Sequence, residues 1–67
     1  MNSTINRIKV VLAEKQKTNK WLAEELGVNQ ATVSKWCQNH SQPDLYTLSA
    51  IAKALNVDRR DLLNKSI

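Results

Sequence analysis

The side chains best equipped for specific contacts in this 67-residue chain lie close together in its middle third. In the segment QATVSKWCQ, residues 30–38, amide, hydroxyl and ammonium groups occur at Gln30, Thr32, Ser34 and Lys35. Amides and hydroxyls both donate and accept hydrogen bonds, and the ammonium group adds a positive charge. A helix that exposes these groups is poorly suited to lining an enzyme pocket, but it is well suited to contacting the edges of DNA bases.

Two short helices joined by a tight turn are predicted to position these groups. The first runs from Asn19 to Leu26 with Thr18 as its N-cap, and it ends at Gly27, which can adopt the left-handed conformation without a Cβ clash. The second begins after the N-cap Asn29 and runs from Gln30 to about Gln38. The apolar residues expected to pack the two helices together are Leu22, Ala23, Leu26, Val28, Val33 and Trp36.

The flanking segments predict three more helices. Asn2 or Ser3 is the expected N-cap of a first helix, whose apolar positions at helical spacing are Ile5, Ile8, Val11 and Leu12. Asn39 suits a helix stop with positive φ, and residues 39–43 form the longest polar stretch, a predicted loop.

Asp44 is the predicted N-cap of a fourth helix, which carries its apolar residues on one face and ends at Asn56. Asp58 opens a short fifth helix, with Asp61 as its capping-box partner and an apolar side at Leu62 and Leu63. No window shows the period-two alternation of a half-buried strand. The predicted fold class is therefore all-α, with five helices.

Length and composition exclude several functions. A chain of this size makes one domain, residues 1–67, that buries only about 60% of the surface exposed by the unfolded chain, which leaves little room for a deep substrate cavity. The predicted helices bring together neither paired carboxylates nor a nucleophile and a base, so we expect no enzyme. Cys37 and His40 are the only residues of their types, so we expect no disulfide, no metal and no cofactor.

The charge balance favours an anionic partner. The formal net charge is +4 and the calculated isoelectric point is about 9.6, values that favour nucleic acid first and acidic protein or lipid second. The opening residues, MNSTINR, lack the apolar region of a signal peptide, and no apolar run is long enough to cross a bilayer. We therefore expect a cytoplasmic protein without a membrane partner.

The apolar, small and turn residues of nearly the whole chain resemble the helix-turn-helix family of the lambdoid phage repressors and Cro proteins, the XRE-type regulators. The similarity begins at Leu22-Ala23-x-x-Leu26-Gly27-Val28 followed by Val33 and Trp36. It continues through Pro43-x-Leu45-x-x-Leu48 and Ile51-Ala52-x-Ala54-Leu55-x-Val57 to Leu62-Leu63. The resemblance implies a compact five-helix, lambda-repressor-like domain that binds operator DNA as a sequence-specific transcriptional regulator, expected to be a repressor.

The resemblance also implies roles for individual residues. The third helix would enter the major groove, and the implied base-contacting residues are Gln30, Ala31, Ser34 and Lys35. The implied phosphate-contacting residues are Asn19, Lys20, Thr32, Asn39, His40 and Ser41. The family often dimerises through its C-terminal end, here residues 57–67. We therefore expect a weak homodimer on a pseudo-palindromic operator, with half-sites about 34 Å apart.

Some features leave alternatives open. Cys37 and Leu12 stand where the family often has an ion pair, so we expect an apolar contact there. Trp21 either covers the side of the domain or marks a partner surface, and Arg59 and Arg60 are either surface residues or dimer-rim groups. An antitoxin or protein-interaction module of the same fold is the alternative function, with its interface at Trp21 or at the 62–67 end.

Overall fold

The computed structural model describes residues 5–64 of the chain, and four α-helices account for most of them. These are α1 (Ile8–Glu14), α2 (Asn19–Leu26), α3 (Gln30–Cys37) and α4 (Leu45–Leu55). A 3₁₀ helix, Arg59–Leu62, follows α4 and takes the place of the predicted fifth α-helix. No strand occurs within residues 5–64, apart from one isolated bridge between Asn6 and Leu63. The all-α prediction is confirmed.

The N-caps of α2, α3 and α4 are the residues predicted from the sequence. The Thr18 hydroxyl accepts a hydrogen bond from the Trp21 N–H at 3.0 Å, and the Asn29 side chain accepts one from the Ala31 N–H at 2.8 Å. At α4, the Asp44 carboxylate accepts from the Thr47 N–H at 2.8 Å. Each cap satisfies a backbone donor that the first turn of a helix leaves without a partner.

The predicted helix stops also occur in the structure. Gly27, Asn39 and Asn56 all have positive φ, at 69°, 61° and 58°. A Cβ added at Gly27 would meet nothing within 4 Å, so the requirement for glycine there comes from the backbone conformation and not from crowding. Gln16, after α1, also has a positive φ of 58°, which the sequence did not predict.

The predicted start of α1 is wrong. The helix begins at Ile8, and Ile5 is an exposed residue outside it, while Asn2 and Ser3 lie outside the described residues. The reason is that residues 5–7 pair with residues 62–64 through backbone hydrogen bonds and one isolated bridge. The Arg7 N–H donates to the Leu62 carbonyl at 2.8 Å, and the Asn64 N–H donates to the Ile5 carbonyl at 2.9 Å. This backbone pairing replaces a further turn of helix.

The 3₁₀ helix forms the predicted capping box. The Asp58 carboxylate accepts from the Arg60 N–H at 2.9 Å, and the Asp61 carboxylate accepts from the Asp58 N–H at 3.3 Å. Leu62, at its end, is fully buried and ties this short element to the core. Residues 5–7 and 62–64 therefore reinforce each other through one buried side chain and a pair of backbone hydrogen bonds.

One apolar core lies between all these elements, and partly buried Trp21, Leu26, Ala54, Val57 and Leu63 pack around it. Its buried members are Ile8, Val11, Leu12, Leu22, Ala23, Val33, Trp36, Cys37, Leu48, Ile51, Ala52, Leu55 and Leu62. Trp36 belongs to this core as predicted. Among residues 5–64, Asn6 is the only polar side chain that is buried with it.

Truncation of Leu62 should show how much the 3₁₀ helix contributes to stability. Leu62 is 0% exposed, whereas Leu45 is 69% exposed, so the two leucines make a matched pair. We expect Leu62→Ala to lower the free energy of unfolding by about 2–5 kcal/mol. Leu45→Ala should change it by no more than about 0.5 kcal/mol. Urea unfolding followed by circular dichroism measures both, and equal effects would show that the C-terminal end does not belong to the core.

The N-cap of α4 should make stability depend on pH. Hydrogen bonds from Thr47 hold the pKa of Asp44 below its ordinary value of 3.8. A carboxylate with a lowered pKa in the folded state stabilises the fold above the unfolded pKa, and this contribution is lost as pH falls through the folded pKa.

Asp44→Asn keeps an N-capping side chain but removes this titration. We expect the melting temperature of this variant to fall less than that of the wild type as the pH is lowered from about 5 to below 3.8. The melting temperature of the variant would still fall, because the pKa of Asp58 is also lowered, by its hydrogen bonds with Arg60. Parallel curves for the two proteins would contradict the prediction.

Candidate nucleic-acid interface

The unit formed by α2, its turn and α3 fixes the orientation of the candidate recognition helix. At the turn, the Gly27 and Val28 N–H groups both donate to the Ala23 carbonyl. The side chains of Leu22 and Val33 are fully buried on the facing sides of the two helices. Because the inner side of α3 is held in this way, its other side is left available for a ligand.

The four residues predicted to contact bases share one side of α3, since positions 30, 31, 34 and 35 repeat at helical spacing. Gln30, Ala31 and Lys35 are exposed. Ser34 is only partly exposed, and its hydroxyl accepts a hydrogen bond from the Asn19 side chain at 3.3 Å. Three of the four therefore point to solvent, and the fourth is oriented by α2.

Asn19 and Lys20, at the start of α2, are placed differently from each other. The Asn19 amide donates to Ser34, and its oxygen accepts from the Cys37 thiol at 3.4 Å, so this side chain faces α3. Lys20 is exposed. Any phosphate contact by Asn19 would therefore use its backbone N–H, at the end of α2 where the helix dipole is positive.

The loop after α3 folds back onto the last turn of that helix. The His40 and Ser41 N–H groups donate to the Lys35 carbonyl at 2.9 and 3.4 Å, while both side chains are exposed. This arrangement places two of the predicted phosphate-contacting residues beside a residue predicted to contact bases. Thr32 lies in the first turn of α3 and is partly exposed. Within residues 5–64, no hydrogen bond joins it to His40 or Ser41.

Asn39 is turned toward the inside of the domain. Its amide oxygen accepts from the backbone N–H groups of Ile5 and Asn6 at 3.0 and 2.9 Å, and from the Gln42 side chain at 3.1 Å. Its amide nitrogen donates to the Asn6 carbonyl at 3.2 Å. All four of these hydrogen bonds join the Asn39 side chain to other parts of the protein.

Sequence reasoning did not single out Asn6 and Gln42, the other members of this cluster. Asn6 is buried, and its side-chain oxygen accepts from the Ile8 N–H at 3.0 Å, at the start of α1. Asn6 lies one residue before the N-cap Arg7, and its hydrogen bond to the N–H two positions ahead is a local contact that asparagine side chains commonly make. The sequence did not indicate this contact, because Ile5 also fits the helical spacing of the residues that follow it.

The candidate interface carries no carboxylate side chain. Residues 26–43 contain no Asp or Glu, whereas they include Lys35 and His40. Glu24 and Glu25 are exposed on α2, before this stretch begins. The arrangement is compatible with close approach of a polyanion, because no negative side chain of α3 or of its following loop would oppose it.

The family model of the Cro/C1-type helix-turn-helix DNA-binding domain matches residues 7–65. The chain belongs to this family. It is also similar to a crystal structure described as that of a candidate DNA-binding protein from Bacteroides fragilis, with 60% sequence identity and a TM-score of 0.89. That match covers 90% of this chain and 97% of the other. None of the curated proteins compared with the chain is significantly similar to it.

Other surfaces of this Cro/C1-type domain lie apart from α3. A shallow groove between α4 and the 3₁₀ helix is lined by Ser49, Ala52, Lys53, Val57, Asp58, Arg59 and Arg60. Arg59 donates to the Ser49 hydroxyl at 3.3 Å, and Arg60 pairs with Asp58 at 3.2 Å. The described residues contain no group of three or more potential metal ligands. None of the helices between residues 5 and 64 is long and apolar enough to span a membrane.

Trp21 packs against the core of the Cro/C1-type domain and is half-buried. The ammonium group of Lys17 lies 4.9 Å from the centre of its ring, at cation–π distance. Both contacts favour the interpretation that Trp21 covers the side of the domain. The burial of Leu62 likewise removes one of the residues considered for a partner interface.

Cys37 and Leu12 are both buried in the core. The Cys37 thiol also donates to Asn19. Burial raises the pKa of this thiol, and the nearby Lys9 ammonium lowers it to a smaller extent. The thiolate is therefore disfavoured, as for a cysteine that packs and does not react.

This environment predicts slow thiol chemistry. At mildly alkaline pH, we expect Cys37 of the folded protein to react with an aromatic disulfide reagent at least about tenfold more slowly than in denaturant, because both access and thiolate fraction are reduced. Absorbance of the released thiolate measures the rate. Equal rates for the folded protein and for the protein in denaturant would show that Cys37 is accessible and ionised in the fold.

Proposed function

We propose that this protein is a non-enzymatic, sequence-specific transcriptional regulator, acting as a repressor, that inserts α3 into the major groove of double-stranded DNA. The observation that carries the proposal is the asymmetry of α3. Val33 and Trp36 anchor its inner side in the core, while Gln30, Ala31 and Lys35 are exposed on the other side. The major groove is wide enough to admit such a helix, and its base edges distinguish all four base pairs.

Each residue on that side of α3 has a role that its chemistry supports. The Gln30 amide can bridge N6 and N7 of an adenine, and Ala31 can pack on a thymine methyl group. Lys35 can reach O6 and N7 of a guanine or a phosphate. Ser34 has its hydroxyl held by Asn19, so it contacts a base from a fixed position or helps to orient Asn19.

Phosphate contacts on either side of α3 would set the position of the domain on the duplex. We assign these contacts to Lys20 and the start of α2 at Asn19 on one side, and to His40 and Ser41 on the other. Thr32, in the first turn of α3, is a further candidate. The exposure of Lys20, His40 and Ser41 supports this assignment.

Specificity for an operator requires more than the few base pairs that one domain reads. We therefore propose a weak homodimer that forms on pseudo-palindromic DNA through the C-terminal region, with half-sites separated by about one helical turn, ~34 Å. Within the described part of that region, Val57 and Leu63 are only partly buried. They are the apolar residues available for such a contact.

Selection from random duplexes tests the proposed function directly. The purified protein should enrich a pseudo-palindromic sequence at low salt, and its affinity for that sequence should fall steeply as salt is added, because binding releases counterions from the phosphates. Enrichment of a single half-site would contradict the proposed dimer. Recovery of no preferred duplex would overturn the proposed function.

Substitutions separate base contacts from phosphate contacts. We expect Gln30→Ala to weaken binding to the selected sequence by about 1–3 kcal/mol and to relax the preference at one position. Lys20→Ala should weaken binding to selected and scrambled duplexes alike. Fluorescence anisotropy with both duplexes measures these effects. A uniform loss for Gln30→Ala would remove this residue from the set that reads bases.

A further inference from the structure

Three amide side chains, from Asn6, Asn39 and Gln42, form a closed hydrogen-bonded cluster at the end of α3. Asn6 donates to the Gln42 oxygen at 2.7 Å, and Gln42 donates to the Asn39 oxygen at 3.1 Å. The Asn39 side chain closes the cluster by donating to the main-chain carbonyl of Asn6 at 3.2 Å. The three residues come from two parts of the chain that are more than 30 positions apart.

Asn6 is the buried centre of this cluster. The residue is 2% exposed, and its side-chain amide also donates to the Trp36 carbonyl at 2.9 Å, near the end of α3. Its oxygen accepts from the Ile8 N–H, so both donors and the acceptor of the side chain are occupied. A buried amide with all its hydrogen bonds made has one orientation, because leaving a group unpaired costs free energy.

The cluster connects the loop after α3 to residues 5–7, which are far from it in the sequence. Residues 5–7, which include Asn6, are hydrogen-bonded to Leu62 and Asn64 through the backbone. Asn39 receives the Ile5 and Asn6 N–H groups on its side-chain oxygen. The loop is thus held from one side by this paired segment, and from the other by the His40 and Ser41 hydrogen bonds to the Lys35 carbonyl.

We propose that Asn6, Asn39 and Gln42 are positioning residues for DNA binding, which hold the loop after α3 so that the side chains of His40 and Ser41 meet the phosphate backbone. This inference rests on the proposed function. It assigns Asn39 an indirect role, because its side chain already makes four hydrogen bonds within the protein. Asn6 acts without reaching DNA, since it is buried.

The chain supplies a matched control for Asn39. Asn39 and Asn56 both end a helix with similar φ values of 61° and 58°, but the Asn56 side chain has no hydrogen bond within residues 5–64. Replacement by glycine keeps the left-handed backbone accessible at both positions and removes only the amide. A difference between Asn39→Gly and Asn56→Gly therefore measures what the cluster contributes.

The first readout is the dependence of DNA affinity on salt. We expect Asn39→Gly to bind the selected duplex about tenfold more weakly, with a log–log salt slope shallower by about 1–2, the change for one or two lost phosphate contacts. Asn56→Gly should retain the wild-type slope. Partial unfolding alone would divide the affinity by a constant factor and leave the slope unchanged. Circular dichroism at each salt concentration establishes the folded fraction.

Asn6→Ala provides a second variant. Any effect of this substitution on DNA binding is indirect, because the buried Asn6 side chain makes no contact with DNA. If this variant folds, the inference predicts the same shallower slope as for Asn39→Gly. Amide hydrogen exchange of His40 and Ser41 in the free protein supplies a readout that needs no DNA. Exchange at these two residues should accelerate in Asn39→Gly, while it stays at the wild-type rate in Asn56→Gly.

The outcomes separate this inference from the proposed function. A wild-type slope and wild-type exchange in Asn39→Gly would overturn the positioning role, even if the protein binds its operator. Faster loop exchange with an unchanged slope would also overturn it, because the loop would then be shown not to meet phosphates. Failure of the wild-type protein to bind any duplex would overturn the proposed function, and with it the role in DNA binding, whatever the exchange rates.

Discussion

The burial of one side of α3 against α2 is the constraint on which the rest of the molecule depends. Leu22 and Val33 are fully buried at this contact, and Gly27 gives the backbone the sharp turn that brings the two helices together. The same packing decides which side chains of α3 stay outside. A residue of α3 is therefore a core residue or a candidate ligand contact because of its position in the helical repeat and not because of its type alone.

The residues that begin and end α2, α3 and α4 could be read from the sequence because each uses a local interaction. Thr18, Asn29 and Asp44 accept hydrogen bonds from N–H groups two or three positions ahead, and the asparagine and glycine stops depend only on their own φ values. Such interactions involve neighbours in the chain, so they can be predicted from a short stretch of sequence.

The beginning of α1 and the inward orientation of Asn39 could not be read in the same way. Both depend on contacts between residues more than 30 positions apart, with Leu62 and Asn64 on one side and Asn6 on the other. An exposed polar residue in a loop and an amide inside a buried cluster look alike in a sequence. For the same reason, the helical spacing was enough to predict that Gln30 and Lys35 share one side of α3, where both are exposed. It could not predict the hydrogen bond between the side chains of Asn19 and Ser34, which joins two helices.

The pairing of residues 5–7 with residues 62–64 has a consequence for how this domain can be combined with other sequences. The Asn64 N–H donates to the Ile5 carbonyl, so polypeptide that enters the domain and polypeptide that leaves it do so at adjacent points. A domain with this geometry can be inserted into a surface loop of another protein, or circularly permuted by a short linker, without pulling its ends apart. Helix α3 would keep its place in either arrangement, because α2 and α3 lie in the interior of the chain.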